Sequence, residues 1–337
     1  MNVAYLKHCL SACTLCYFCI IALVGCRQSQ DDQQITLYSG RNQHLLAPLL
    51  EKFTEETGIR VHTRYGGTAE LAATILEEGR RSPADVFFAQ DAGALGALSK
   101  AGLFERLPQE LLANVPAPFR SQENLWVGTS GRARVLVYNT NRVDKAELPS
   151  DITGLTDPKW RNRIGWAPMN ASFQAFITAL RVERGESETK EWLKAMKQNQ
   201  PQDYPRNTAI MHAVAAGEVD VGLSNHYYLH TMEKEQGQRL PAQNYVPTDG
   251  TLINVAGVGI LNTTDRPQEA EKFISFLLSE TAQRFFTDET FEYPLTKTVD
   301  PNPALPRLDA MPAIELDLSL LEDIEGTLSL FQELGIL

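Results

Sequence analysis

The feature that most constrains this chain is the way its apolar periodicity keeps switching, from runs with a period of two to stretches with a period near 3.6. Residues 35–39 read as a short strand that Gly40 ends. Leu45, Leu46, Leu49, Leu50 and Phe53 then recur at helical spacing, with Gly58 placed to stop the helix. A second strand is expected over 59–65, turned by Gly66 and Gly67. Thr68 can cap the next helix, which buries Leu71, Ile75 and Leu76 and stops near Gly79. Residues 84–89 make a third strand, and Asp91 opens a helix through Leu95 and Leu98. Strands and helices alternating at this spacing imply an α/β protein whose parallel sheet is covered on both faces.

Further along, the run 128–134 is rich in glycine and precedes a strongly β segment at 135–138. A strand at 164–167 leads to a helix over 173–183, with Asn170 or Ser172 as its N-cap. The free N–H groups of that helix start also suit an anion. Helices are expected at 190–197 and 207–216, and a half-buried strand at 218–223. Residues 251–260 read as a buried strand, 269–286 as one amphipathic helix, and 316–334 as another. Just past the strand at 218–223 stand two adjacent phenols, Tyr227 and Tyr228. Open α/β sheets place ligands outside the carboxyl ends of their strands. The pair can be ordinary amphipathic side chains or, since a strongly charged cation can displace the phenolic proton, ligands for a hard metal ion.

With 337 residues the chain is long enough for two domains. Its formal net charge of -11 speaks against nucleic acid or an anionic membrane surface as a partner. All five cysteines fall within the first 26 residues, in or just after an apolar run that reads as a secretory signal. Leu23-Val24-Gly25-Cys26 has the form of a bacterial lipobox, in which Cys26 becomes the lipidated first residue. The mature chain then has no thiol to offer, and any metal ligands must be oxygen or nitrogen. Residues 27–34 are polar and aperiodic, as in a tether. No serine or cysteine nucleophile stands in a motif context: Gly128-Thr129-Ser130-Gly131 is not a Gly-x-Ser-x-Gly nucleophile elbow, since Gly131 follows Ser130 directly. An enzyme is therefore not expected.

Six stretches together resemble a known family. They are 35–40 (ITLYSG), 82–88 (SPADVFF), 130–134 (SGRAR), 160–165 (WRNRIG), 225–228 (NHYY) and 292–295 (EYPL). In this order over nearly the whole mature chain, they resemble the periplasmic ferric-iron-binding proteins of bacterial ABC transporters, within the type 2 periplasmic binding protein fold. The resemblance implies two α/β lobes, each a mixed, mostly parallel sheet flanked by helices, with crossover strands as the hinge. The implied division is a signal peptide (1–25), a tether (26–34), a first lobe (35–131 plus about 257–308) and a second (132–256 plus about 309–337). It further implies a monomeric, lipid-anchored periplasmic protein that closes over Fe3+ as cargo and delivers it to a permease. Tyr227 and Tyr228 match the family's phenolate pair. Arg132 matches an arginine that holds a synergistic anion, carbonate or phosphate, while Asn170, Ala171, Ser172, Asn207 and Asn225 match the rest of that anion's pocket.

Several positions depart from the family's pattern. Asn42 stands where members usually have histidine, and Gln43 where some have tyrosine; His44 lies two residues beyond Asn42. A glutamate ligand aligns with Gln90, next to Asp91, and a third tyrosine of one subgroup aligns with Met169, a soft donor poorly suited to ferric ion. Three accounts follow. Iron can be held by Tyr227 and Tyr228 with an anion on Arg132, or loop adjustment can bring in His44 or Asp91. Otherwise the cargo is an anionic or phosphorylated small molecule on Arg132 and the Asn170 helix start.

Overall fold

A computed structural model describes residues 33–337. The signal segment, Cys26 and nearly all of the tether lie outside them. Ten strands form the sheet: β1 (Gln34–Ser39), β2 (Arg60–Tyr65), β3 (Val86–Ala89), β4 (Val127–Asn139), β5 (Ile164–Trp166), β6 (Gln202–Asp203), β7 (Val221–Asn225), β8 (Ala242–Tyr245), β9 (Ile253–Ile260) and β10 (Tyr293–Pro294). Their order is β2-β1-β3-β9-β4-β7-β5-β6, with β8 and β10 also pairing β4. β1 runs parallel to both β2 and β3, and β5 parallel to both β6 and β7. The two central strands are antiparallel to their neighbours, β9 to β3 and β4 to both β9 and β7. The sheet is mixed, as the resemblance implies, parallel in each outer part and antiparallel where the chain crosses.

That crossing positions everything that follows. β4 pairs with β9 over residues 127–133, then with β7 over 134–138 and with β8 over 136–139. All 13 of its residues are buried. The glycine-rich run that reads as a lead-in belongs to the strand itself. At Gly128 a Cβ would come within 2.7 Å of the Phe119 carbonyl oxygen, so the glycine is what lets the strand pass. The fold is thus two-lobed, with β4 running through both parts.

Helices cover the sheet where the periodicity places them. Gln43–Thr57 ends at Gly58, whose φ of 72° is left-handed, and Asn207–Ala216 matches its expected bounds. Asp91 caps Ala92–Lys100 and Asn170 caps Ala171–Arg184. Thr68 is the first residue of its helix rather than the cap, and its hydroxyl accepts the Gln90 N–H at 3.1 Å. Two expectations fail at helix breaks. Residues 269–286 do not form one helix: Pro267–Leu277 ends at Leu278, and Ser279 caps a second helix, Glu280–Glu289. The C-terminal segment likewise divides into a 3-10 turn, Leu318–Glu322, and the helix Ile324–Glu333. The turn packs on Ala92–Lys100, while the helix packs on Ala171–Arg184, where Phe331 and Phe173 have ring centroids 6.0 Å apart. Gly96 permits the first contact, since a Cβ there would meet the Ser319 carbonyl oxygen at 2.3 Å.

Candidate functional site

β7 carries the chain through Asn225 to His226, and the helix Tyr227–Gln236 begins at once. His226 is 2% exposed and locks this corner. Its Nδ1 accepts the Ala133 N–H at 3.1 Å, its Nε2 donates to the Phe291 carbonyl at 2.8 Å, and its own backbone N–H donates to Ala133 O. The imidazole lies against Tyr293 at 4.7 Å and edge-on to Tyr227 at 5.7 Å. The tyrosine pair is therefore oriented by a ring tied to the crossing strand. Burial pulls the His226 pKa down to about 4, against the hydrogen bond to Phe291.

This predicts a pH dependence of folding. The unfolded chain takes up a proton on His226 near pH 6.5 and the folded one near 4, so the stability present above 6.5 is lost as pH falls through that window. The loss amounts to about 3 kcal/mol. Denaturant titrations of the ligand-free protein between pH 7 and 4.5 check it, with His226→Gln flattening the slope.

Tyr227 and Tyr228 are partly buried, with ring centroids 4.2 Å apart and planes 32° from parallel. Burial, then the neighbouring Tyr228, push the Tyr227 phenol well above its ordinary pKa, although the Arg132 charge works the other way. Without a bound cation Tyr227 thus keeps its proton at neutral pH; a multivalent cation would take the phenolate form.

Beside the phenols lie two arginines from β4, each 4% exposed. The Arg134 guanidinium donates to Leu223 O at 2.7 Å, Asn207 Oδ1 at 3.2 Å, Asn225 Oδ1 at 3.3 Å and Ser172 Oγ at 3.4 Å. Asn207 Nδ2 also donates to Ser172 Oγ at 2.9 Å, and Ser172 Oγ to Asn170 Oδ1 at 2.6 Å. Asn170, Ser172, Asn207 and Asn225 are thus brought together as expected, but around Arg134. Every one of these hydrogen-bond acceptors is neutral. Burial lowers the Arg134 pKa to about 9, an effect that the nearby Tyr228 and Tyr227 partly offset. A buried cation held by neutral oxygens gains from an arriving anion. Arg132 lies instead among Asp91, Tyr227 and Glu292, whose titration it biases, and its buried Nε has no partner. Ala171 is exposed at the helix start.

Sequence reasoning gave Arg134 no role of its own. The signal was present, because residues two apart on a strand share a face, so Arg132 and Arg134 project together.

Across the cleft, Asn42, Gln43 and His44 are exposed, and Asn42 spends its side-chain oxygen on the His44 N–H at 2.9 Å. Gln90 Oε1 accepts from Arg41 Nη1 at 3.1 Å, and Asp91 caps its helix by accepting the Ala94 N–H at 3.4 Å. Burial raises the Asp91 pKa, with the Arg132 charge opposing. Met169, 69% exposed, stands on a turn. Among the described residues no three His, Cys, Asp or Glu side chains converge to hold a metal ion. Arg41 also makes a two-pronged ion pair with Glu292, at 3.0 and 2.9 Å, and Ser130 Oγ donates to the same carboxylate. Burial favours the protonated form of Glu292, but Arg41 and Arg132 outweigh it and hold the pKa below the usual range.

The profile of the family described as bacterial extracellular solute-binding proteins matches residues 81–316. The Fe(3+)-binding periplasmic protein of Serratia marcescens is 33% identical over 318 residues, covering 93% of this chain and 94% of its own length. The chain belongs to the bacterial extracellular solute-binding proteins, in the family of the periplasmic ferric-iron-binding proteins. Among solved structures, iron-bound HitA from Pseudomonas aeruginosa superposes with a TM-score of 0.83 at 33% identity, over 90% of this chain and 99% of that one. The Trichodesmium protein IdiA (FutA), in complex with iron and citrate, gives 0.80 at 31% identity, with the same coverage. Solute-binding proteins of this family serve ABC importers. Among the described residues no helix is long and apolar enough to cross a membrane.

Proposed function

We propose that this protein is the substrate-binding lipoprotein of an ABC importer, that it takes up ferric iron in the interlobe cleft, and that it hands the ion to the permease. The observation that carries this reading is the stacked pair Tyr227 and Tyr228 beside two buried arginines, in a chain whose relatives are named for ferric iron. Ferric ion displaces the two phenolic protons, and the phenolates become its protein ligands. A synergistic anion, carbonate or phosphate, occupies the pocket of Arg134, Asn170, Ser172, Asn207 and Asn225, with Arg132 alongside. The lobes close about β4 and β9. Cys26 carries the lipid, and the protein works as a periplasmic monomer.

Two protons leave for each ion bound, so affinity falls by up to about a hundredfold for each unit drop in pH below neutrality. Proton release measured in an unbuffered titration, together with affinity between pH 7.5 and 5.5, tests this. Uptake without proton release contradicts phenolate ligation.

A second reading has its own observation in the Arg134 cluster, whose partners are all neutral: a binding protein for an anionic or phosphorylated small molecule. It predicts that Arg134→Ala abolishes ligand binding while Tyr227→Phe and Tyr228→Phe leave it intact.

A further inference from the structure

We infer that the crevice lined by Asp91 and Ala171, which borders the arginine pocket rather than the phenols themselves, seats the apolar body of an organic chelator, a bidentate oxygen donor on a hydrocarbon or aromatic frame that enters already bound to the ferric ion. The inference rests on the ferric reading above and names the form of the cargo.

The first observation is that the side of the cleft facing the phenols has little oxygen to give. Asn42 Oδ1 is engaged by the His44 N–H, Gln90 Oε1 by Arg41, and Asp91 Oδ1 by its helix start. Two phenolates leave most of a ferric ion's coordination to be filled by what the cargo brings.

The second is the space. A crevice of about 530 Å³ runs from Gly40, Gln90 and Asp91 to Ala171 and Gln174. Ala171 adjoins Ser172, which the Arg134 guanidinium contacts, so the crevice opens next to the anion pocket. Carbonate or phosphate would fill a small part of it, whereas its volume is that of a small-molecule site. Its walls are short apolar side chains: Ala72, Ala73 and Leu76 on one helix, Ala94 and Ala97 on another. Leu76 is left 46% exposed, without apolar cover.

The third is charge. The titratable groups lining the crevice are Glu70, Asp91 and Glu322, with no lysine or arginine among its lining residues. A polycarboxylate body would be repelled there. An oxygen chelator with an uncharged frame places its donors toward Tyr227, Tyr228 and the arginines and its carbon toward the alanines.

The probes are salicylate and 5-butylsalicylate, which present the same bidentate donor to iron and differ by four carbons. Ferric-loaded protein is titrated with each, following the visible absorption band, with bicarbonate as the small-anion control. The butyl compound is expected to bind at least about tenfold more tightly, each buried methylene contributing roughly fourfold. Ala73→Phe and Ala69→Phe fill the crevice from exposed helix positions. They are expected to erase that preference while leaving bicarbonate-supported ferric binding unchanged. Equal affinity for the two salicylates, or a preference that survives both substitutions, overturns the inference while ferric binding itself stands. Failure to bind ferric ion with any of the three anions overturns the ferric reading, and this inference with it.

Discussion

Replacing Tyr227 and Tyr228 together by phenylalanine should abolish ferric binding while leaving the fold intact. Phenylalanine keeps the stacked rings and their packing on His226 and removes only the hydroxyls. Under the proposed ligation, what disappears is a pair of negative charges bonded to a trivalent cation, in a site where burial already weakens solvent screening. Each charge contributes several kcal/mol, so the double variant should lose on the order of 10^4-fold or more in affinity. Equilibrium dialysis against ferric citrate measures this, and unchanged thermal unfolding of the ligand-free variant shows that the fold survives. The single variants apportion the effect. Tyr227→Phe removes the phenol that burial and Tyr228 hold protonated, so its loss should also reduce the protons released on binding.

The second large effect concerns stability. Glu292 is 1% exposed and anchors Arg41, Ser130 and, through its charge, Arg132. Glu292→Ala strands two buried arginines, and Arg41→Ala strands a buried carboxylate with only Arg132 to balance it. Breaking a buried pair from one side costs about 3–5 kcal/mol. In a chain of this size that lowers the unfolding temperature by on the order of 10 °C. The double variant Arg41→Met with Glu292→Leu should recover most of the loss, because the penalty lies in the uncompensated charge. A double variant as unstable as the sum of the singles contradicts this account, and calorimetry of the four proteins decides it.

The arrangement of β1 to β3 with their helices was legible because each boundary carries a local cause. Asp91 accepts from the N–H groups at the start of Ala92–Lys100, and Gly58 and Gly79 take positive φ where the helices Gln43–Thr57 and Thr68–Glu78 stop. The break at Leu278 was not legible. Phe273, Phe276, Leu277 and Phe286 are all buried, so the apolar rhythm continues across two helices as if they were one. β4 was truncated in the reading because glycine argues locally for a loop, while Gly128 is required by the Phe119 backbone that passes over it. The tyrosine pair was legible from its place at a strand end. The Arg41–Glu292 pair was not, since 251 residues separate the partners and no periodicity links them. Arg134 lies between these cases: its position was readable, but its neutral partners come from three other segments of the chain.

The most direct measurement is a visible absorption titration of the protein with ferric citrate, with and without added bicarbonate. Phenolate-bound ferric ion predicts a charge-transfer band that saturates at one iron per protein in the wild type and is missing from the Tyr227→Phe plus Tyr228→Phe variant. A colourless wild type under both conditions, or a band that persists in the double variant, would contradict the claim that these two tyrosines hold the ion.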